Sequence, residues 1–281
     1  MCKSISFITS TSISLQLLQL ISKESKMAQL EHVNSLPRSS EMEEDIHVFL
    51  VTWGRVHLLH ETIQSLVQLQ TVAHRVRLHI WNNNPLIREQ VDAIVTLFPS
   101  ITLDVIHSKI NLFSYARFLH IKKVMAQEQL DYVVIVDDDQ QFPPDYLEQL
   151  WNDRRPRTYT SWWGRKFKGQ SYFKGVPDYK ELANGARPDI KDFDYAGPGG
   201  CIIDANAFAM AATLAIPQRY ATLDDLWLSY VMHMAHWSVR RTLVRPRTIT
   251  DDRTTSVALW SRLKDHKDEF LTYLRDGGWN V

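Results

Sequence analysis

Residues 131–140 of the chain read DYVVIVDDDQ, an apolar run that ends in three consecutive aspartates. The run Tyr132–Val136 has the length and the β-branched composition of a buried strand. Asp137, Asp138 and Asp139 follow at its carboxyl end, where three like charges repel one another. Either water or a bound cation must offset that repulsion.

Three strand–helix pairs precede this strand. Each apolar run of strand length is followed by a segment with helical spacing of its apolar residues. The order βαβαβαβ predicts an α/β fold with a mostly parallel sheet and helices on both faces. In such sheets ligands bind beyond the carboxyl ends of the strands. The predicted strands are residues 46–53, 76–81 and 101–107, and the predicted helices are residues 57–69, 87–98 and 114–129.

The second half of the chain predicts a less regular series of elements. A helix begins near the prolines of residues 143–151, and a long segment rich in aromatic and basic residues follows it. The remaining predictions are a Gly turn, short strand and helix (195–214), a helix (223–237), a strand (238–244) and an amphipathic helix (257–274).

Charge and length limit the classes of function. Lys+Arg and Asp+Glu both number 32, so no global field attracts the chain to nucleic acid or to an anionic membrane. The chain has two cysteines, which does not suit a disulfide framework. Residues 46–281 are predicted to form a single domain with a nucleotide-binding half (46–150) and an acceptor and catalytic half (151–281).

Residues 1–45 are predicted to be an N-terminal extension outside the folded core. Residues 4–22 carry too many Ser, Thr and Gln residues for a membrane span, and they lack the compact apolar region of a signal peptide. The extension is therefore either disordered or a targeting segment. A soluble, cytoplasmic protein with no integral membrane span is favoured.

Asp137 and Asp139 are candidate metal ligands. Side chains two residues apart on an extended segment share a face, so these two carboxylates are expected to converge on one hard cation. Mn²⁺ and Mg²⁺ prefer oxygen ligands and are often held by one or two carboxylates together with substrate phosphates. The alternative interpretation is a solvated acidic turn that closes the strand.

Three further features are candidates for chemistry. Arg117 offers a planar fork of donors suited to phosphate, although a surface arginine is the plainer interpretation. Asp224 and Asp225 stand where carboxylates cap a helix, and they also suit a general base. Residues 197–200, GPGG, allow the backbone to approach a ligand closely, or they form a simple turn.

Six short motifs occur in order between residues 46 and 245. Each is weak alone, but their order makes a fairly specific signal. They are Thr52 with Arg55, the pair Asn82–Asn83, NLFSYAR (111–117), DDDQQFPPDYLEQL (137–150), the loop Tyr195–Gly200 and the pair Asp224–Asp225.

Together these motifs resemble the glycosyltransferases of the GT-A fold, a Rossmann-like nucleotide-diphospho-sugar transferase fold, and the first half looks most like family 2. The resemblance implies a UDP- or GDP-sugar donor, a glycan or glycoconjugate acceptor, and Mn²⁺ or Mg²⁺. Asp225 would be the general base of an inverting transfer, with Asp224 as the second candidate. Metal binding falls to Asp137 and Asp139, and nucleotide-sugar binding to Thr52, Arg55, Asn82, Asn83, Arg117, Asp137, Asp138, Gly199 and Gly200.

The chain also departs from the family pattern. Asn82 stands where many relatives have Asp, and Phe113 stands where they have Gly. Many members use a late His as a third metal ligand. His266 is expected on the apolar face of the last helix, either as that ligand or as a packed residue, and Asp251 and Asp252 compete for the role. The resemblance does not decide between inverting and retaining chemistry.

The segment 160–175 is expected to supply the acceptor site. Its aromatic residues Trp162, Trp163, Tyr172 and Phe173 suit stacking on sugar faces, or they fold over the core. Arg165 and Lys166 suit contacts with hydroxyls or phosphate. Two other functions remain open. A nucleotidyltransferase would usually carry a Gly-rich basic loop after the first strand, and a non-catalytic carbohydrate-binding protein would not need Asp137, Asp139 and Asp225 together.

Overall fold

The structure, a computed structural model, describes residues 44–69, 74–174, 189–249 and 263–281. The first 43 residues, which make up most of the predicted extension, lie outside that part. The strands are β1 (Glu44–Thr52), β2 (His74–Asn82), β3 (Thr102–His107), β4 (Tyr132–Asp137), β5 (Gln140–Gln141), β6 (Thr158–Ser161), β7 (Gly164–Arg165), β8 (Tyr195–Ala196), β9 (Cys201–Asp204), β10 (Ser238–Arg241) and β11 (Arg247–Thr248). The α-helices are α1 (Val56–Val67), α2 (Arg88–Val95), α3 (Ala116–Met125), α4 (Tyr146–Asn152), α5 (Asp224–Met234) and α6 (Lys264–Asp276).

One seven-stranded sheet takes strands from both halves of the chain. Its order is β10-β6-β9-β4-β1-β2-β3. The strands β1 to β4 run parallel to one another, as do β6 and β10, whereas β9 runs antiparallel between β4 and β6. The prediction of an α/β fold with a mostly parallel sheet is confirmed.

Helices cover both faces of this sheet, because alternate residues of each strand point to opposite sides. On β1, Val48 and Leu50 pack with the apolar face of α1, which includes Leu59 and Ile63. On the opposite face, Phe49 packs into a second core that also takes residues of α3, α5 and α6. Among the described residues, no helix has the length and apolar character needed to cross a bilayer.

The first strand begins two residues earlier than predicted. Asp45 pairs with Arg75 of β2, and its Oδ1 lies 2.9 Å from the Arg75 Nε. Asp45 Oδ2 also lies 3.8 Å from the Arg77 guanidinium. These cross-strand ion pairs extend the parallel register beyond the apolar run on which the prediction rested.

The helix predicted after β9 is wrong in type. Residues Ala205–Phe208 and Ala211–Leu214 form two short 3₁₀ helices. The Asp204 carboxylate accepts a bond from the Asn206 backbone at 3.0 Å, and the Thr213 hydroxyl donates to the Ala207 carbonyl at 2.5 Å. Side chains that bond nearby backbone groups compete with the α-helical pattern.

The sheet brings the carboxyl ends of four strands to one edge. Thr52 at the end of β1 is the register partner of Asn82, and Asn82 is the partner of His107 at the end of β3. Asp137, the last residue of β4, is the partner of Val51. The polar residues that follow these strands therefore lie together, as the parallel sheet predicts.

Candidate active site

A cavity of about 450 Å³ opens at this edge of the sheet. Its walls come from the β1–α1 loop, the segment before α3, the end of β4, the loop before β9, the start of α5, and α6. The lining side chains that carry charge are Arg55, Arg117, Asp137, Asp138, Asp224, Asp225 and Lys267. Seven charged groups in one concave site favour an anionic or polar ligand over an apolar one.

Asp138 is buried and is held by contacts with Thr52, Arg55 and Thr62. The Thr52 hydroxyl donates to its Oδ2 at 2.8 Å, and the Arg55 guanidinium lies 2.5 Å from its Oδ1. Its backbone carbonyl accepts from the Thr62 hydroxyl at 3.1 Å. Burial raises the pKa of Asp138, and the cation of Arg55 opposes that rise. Asp138 therefore ties the acidic turn to β1 and α1.

Asp139 lies beyond the end of β4, so the strand alternation that predicted its pairing with Asp137 does not apply to it. The strand ends at Asp137, and Asp138 and Asp139 form the turn that leads into β5, so the two-residue alternation stops there. The Asp139 carboxylate hydrogen-bonds the Arg55 guanidinium. Burial raises the pKa of Asp139 to about 7, with Arg55 opposing and the two neighbouring aspartates adding to the rise.

Asp137 is the aspartate of this turn with the most exposed side chain, at 38%. Its Oδ1 lies 3.6 Å from the Arg117 guanidinium. The backbone of Gly199 passes beside it, so that a Cβ built on Gly199 would stand 2.1 Å from the Asp137 Oδ2. Only glycine at position 199 leaves enough room for the Asp137 carboxylate in the cavity.

Arg117 is buried between two carboxylates. Its Nε donates to the Ser114 carbonyl at 2.9 Å and lies 3.1 Å from the Asp224 Oδ2. The Ser114 hydroxyl in turn hydrogen-bonds the other oxygen of Asp224. Burial alone would lower the pKa of Arg117, but Asp224 and Asp137 more than offset it and raise the value. Asp224 therefore positions Arg117, and its carboxylate is occupied.

Asp225 has a different environment from Asp224, although both belong to the first turn of α5. Its Oδ2 accepts a hydrogen bond from the Tyr195 hydroxyl at 2.5 Å, and its Oδ1 accepts from the Leu226 backbone at 2.8 Å. Its side chain is half-buried and lines the cavity. Because no cation neutralises it within hydrogen-bond distance among these contacts, it suits proton abstraction better than Asp224.

Asn82 and Asn83 are buried and hold loops together rather than line the cavity. The Asn82 side chain lies 3.1 Å from the His107 ring, and the Asn83 side chain donates to the Phe113 carbonyl at 2.7 Å. Phe113 has φ of +56°, a left-handed conformation that favours glycine. This conformation explains why a glycine suits that position of the motif, and Asn83 supports the strained loop through its side chain.

The aromatic residues of segment 160–174 lie in two places, some in the core and one on the cavity wall. Tyr172 is buried and Phe173 packs against the same core, so these rings fold over the core. Trp163 lines the cavity, and Trp162 donates from its indole to the Gly199 carbonyl at 2.7 Å. The Arg165 guanidinium lies over the Tyr172 ring, 4.8 Å from its centre. Of the pair 162–163, Trp163 is the residue on the cavity wall.

Gly200 adopts the conformation expected of a glycine turn, and His266, a candidate third metal ligand, is exposed. Gly200 has φ of +85°, which favours glycine, and its backbone N–H donates to the Ile135 carbonyl at 2.8 Å. The expected place of His266 on the apolar face of α6 is wrong, since its side chain is 56% exposed. Asp251 and Asp252 lie outside the described residues.

Lys267 also lines the cavity, although no sequence motif predicts it there. It is 8% exposed, and its ammonium lies 5.0 Å from the centre of the Tyr172 ring. Burial lowers the pKa of Lys267, and the nearby charge of Asp225 opposes that fall. Its spacing from Phe270, Leu271 and Leu274 places it on the inner face of α6, and that periodicity was the available signal.

The fold has known structural relatives, although no protein-family model and no curated protein sequence matches the chain. A mannosyltransferase, PcManGT from Pyrobaculum calidifontis, in complex with GDP-Man and Mn²⁺, superposes with a TM-score of 0.60 at 12% identity over 94% of this chain and 74% of that one. TarS residues 1–349 from S. aureus superposes with a TM-score of 0.52 at 12% identity, over 73% of this chain.

A second TarS structure, in complex with UDP-GlcNAc, gives a TM-score of 0.50 at 12% identity over 76% of this chain. The alignments span only 60% and 61% of the TarS chains in these two structures. At these identities the likeness establishes the fold alone. The chain has a GT-A-like glycosyltransferase fold, as the sequence motifs predict.

Proposed function

We propose that the protein is a metal-dependent glycosyltransferase. It would move a sugar from a UDP- or GDP-sugar to a hydroxyl of a glycan or related acceptor, with inversion. The observation that carries the proposal is that a single cavity is lined by Asp137, Arg117 and Asp225. The GDP-Man, Mn²⁺ and UDP-GlcNAc named with two of its structural relatives support the choice of donor and metal.

The donor end of the cavity is the end at Asp137 and Arg117. The buried guanidinium offers donors to diphosphate oxygens, and Asp137 offers a partly exposed carboxylate beside it. The residues fit a divalent cation, because Gly199 leaves the Asp137 carboxylate the space that a side chain would fill. A cation bound there would neutralise charge on the leaving diphosphate.

Arg55 supplies a second feature of the donor end. Its guanidinium lines the cavity and is shared between Asp138 and Asp139. A diphosphate would offer the same guanidinium bidentate partners, which frees Asp139 to act as the second carboxylate ligand. The raised pKa of Asp139, about 7, is the property of a desolvated carboxylate whose charge a divalent cation would stabilise.

The acceptor end is the end at Asp225. Its carboxylate accepts the proton of the acceptor hydroxyl as that oxygen forms its bond to the anomeric carbon of the donor sugar. The bond from that carbon to the diphosphate breaks on the opposite side, and the configuration inverts. The Tyr195 hydroxyl and the Leu226 backbone N–H orient Asp225 for this transfer. Trp163 and Lys267 line the same cavity and would contact the acceptor.

A panel of UDP- and GDP-sugars tests the proposal. Donor hydrolysis and transfer to a mixture of glycan acceptors are scored with Mn²⁺, with Mg²⁺ and with a chelator. We expect turnover of a small subset of donors that the chelator abolishes and added metal restores. Pyrophosphate release from a nucleoside triphosphate and a sugar phosphate would instead identify a nucleotidyltransferase. Glycan binding with no donor turnover would identify a carbohydrate-binding protein.

A further inference from the structure

Two histidines and an aspartate form a second polar cluster away from the cavity. His79 of β2, Asp104 of β3 and His120 of α3 each offer one ligand atom, and these three atoms all lie within 4.8 Å of one another. Asp104 Oδ2 is 3.0 Å from the His120 Nε2 and 3.6 Å from the His79 Nδ1. Ligands of a tetrahedral zinc ion lie roughly 3.3–3.5 Å apart, since each is about 2.0–2.2 Å from the metal.

The fold brings these residues together on one face of the sheet. His79 and Asp104 are direct register partners on neighbouring parallel strands, so their side chains point to the same side. The helix α3 packs over that face and places His120 above them. His79 and His120 are buried, whereas the Asp104 side chain is 53% exposed, because β3 is the edge strand. The cluster thus has two buried nitrogen donors and an opening to solvent.

Two imidazole nitrogens of this cluster are buried and make no hydrogen bond, the Nδ1 of His79 and the Nδ1 of His120. The His79 Nδ1 faces the cluster and lies 3.6 Å from the Asp104 Oδ2. The other nitrogen of His79, Nε2, lies 3.0 Å from the His47 Nδ1. When the His79 Nε2–H donates to His47, the Nδ1 lone pair is directed at the cluster, as in metal-ligating histidines whose second nitrogen is fixed by a neighbour.

We propose that His79, Asp104 and His120 bind a divalent transition metal of the zinc class. Two imidazoles and one carboxylate suit Zn²⁺ in preference to Mg²⁺ or Mn²⁺, which favour all-oxygen sites. Water completes the coordination on the open side of Asp104. His47 is the outer residue that orients His79.

This site is separate from the cavity and has a structural role. His79 lies three positions before Asn82, the last residue of β2, which corresponds to about 10 Å at roughly 3.3 Å per residue. The metal would join the edge strand β3 to α3, the helix that carries Arg117 one turn before His120. Bound metal therefore stabilises the fold and the position of Arg117 without contacting the donor.

Zinc titration of the full-length protein tests the site. The protein is stripped with a chelator and placed in excess Mg²⁺, which occupies oxygen sites but competes poorly for imidazole. We expect binding of Zn²⁺, measured by competition with a chromophoric chelator, and a rise in Tm that follows the Zn²⁺ concentration. Co²⁺ in place of Zn²⁺ is expected to give the intense visible absorption of a low-coordinate site with nitrogen ligands.

Variants assign the ligands. Asp104→Asn and His79→Gln are expected to weaken Zn²⁺ binding by about tenfold or more, and His47→Gln by roughly 10–100-fold through the outer contact. Asp104→His replaces one ligand with another and is expected to retain binding. Asp276→Asn, at an exposed position of α6, is the matched control and should bind as wild type.

The proposal is overturned if wild type binds no more Zn²⁺ than Asp104→Asn, or if the Co²⁺ spectrum is the same in both. Asp104 is half-exposed, so its variant is expected to fold even where His79→Gln does not. Circular dichroism and Tm in chelator establish that each variant is folded before its metal affinity is compared.

Discussion

Gly199 lies against Asp137 so closely that a Cβ on the glycine would stand 2.1 Å from the carboxylate Oδ2. The same added carbon would be 3.1 Å from the Gln140 amide, whose oxygen accepts from the Asp137 backbone at 3.0 Å. The loop before β9 and the end of β4 are thus fitted to each other at the one aspartate of the turn that is well exposed. A ligand site there depends on the absence of a single methyl group.

Gly199→Ala should disturb Asp137 more than it disturbs the fold. We expect a loss of Mn²⁺ affinity of about tenfold or more, because the carboxylate must rotate away or the loop must shift. Calorimetric titration with Mn²⁺ measures it. Gly54→Ala is the matched control for stability, since a Cβ at Gly54 meets nothing within 4 Å. Equal Mn²⁺ affinity in Gly199→Ala and wild type would contradict the role given to Asp137.

Asp137→Asn removes the charge and keeps the shape of the side chain. We expect donor turnover to fall by about 10²-fold or more, because the diphosphate loses the charge neutralisation supplied through this carboxylate. Steady-state turnover with and without Mn²⁺ measures the effect. Asp131→Asn, an exposed aspartate before β4, is the control and should retain activity. Full metal-dependent turnover in Asp137→Asn would show that the metal binds at other residues.

The periodicity of the sequence predicted the parallel sheet and the placement of its polar carboxyl ends. The motifs predicted one site for Asp137, Arg117 and Asp225, and all three line the cavity. The parallel strands β3 and β4 bring the segments of Arg117 and Asp137 to the same edge of the sheet. The direction of Asp139 could not be predicted, since it depends on where β4 stops and on the pairing with Arg55, which is 84 residues away. The distinct roles of Asp224 and Asp225 depend on Ser114 and Tyr195, which no local pattern connects to them.

Lys267 and His266 show the limit of pattern reasoning within a single helix. A shift of one residue turns a side chain by about 100°, from the buried face to solvent. The phase of α6 is set by Phe270 and Leu274, which are buried, and it places Lys267 inward and His266 outward. When the helix phase is taken from Phe270 and Leu274, it predicts that Lys267, and not His266, faces the interior.

Asp225→Asn tests the general base. We expect kcat for transfer to fall by about 10²–10⁴-fold with the donor Kd unchanged, because the amide cannot accept the proton of the acceptor hydroxyl. Tyr195→Phe keeps the carboxylate but removes its hydrogen bond, so its loss of kcat should be smaller. Transfer assays and donor titrations on both variants separate chemistry from binding. If Asp225→Asn transfers sugar as well as wild type does, the general base is another residue.

Asp224 should make the stability of the metal-free protein depend on pH. Burial raises the pKa of Asp224 from 3.8 to about 6, with Arg117 opposing and Asp225 adding to the rise. A carboxyl whose folded pKa exceeds its unfolded value holds its proton to a higher pH in the folded state. Its stabilising contribution is therefore complete below about pH 4 and is lost as the pH rises through about 6.

The variant Asp224→Asn has no carboxyl to titrate at this position. The Tm of wild type minus that of Asp224→Asn should therefore fall by a few degrees across this range and stay level above it, as thermal melts at a series of pH values can measure. The exposed control Asp276→Asn should give a much flatter difference. A difference that instead grows with pH would mean that the ion pair with Arg117 outweighs the burial of Asp224.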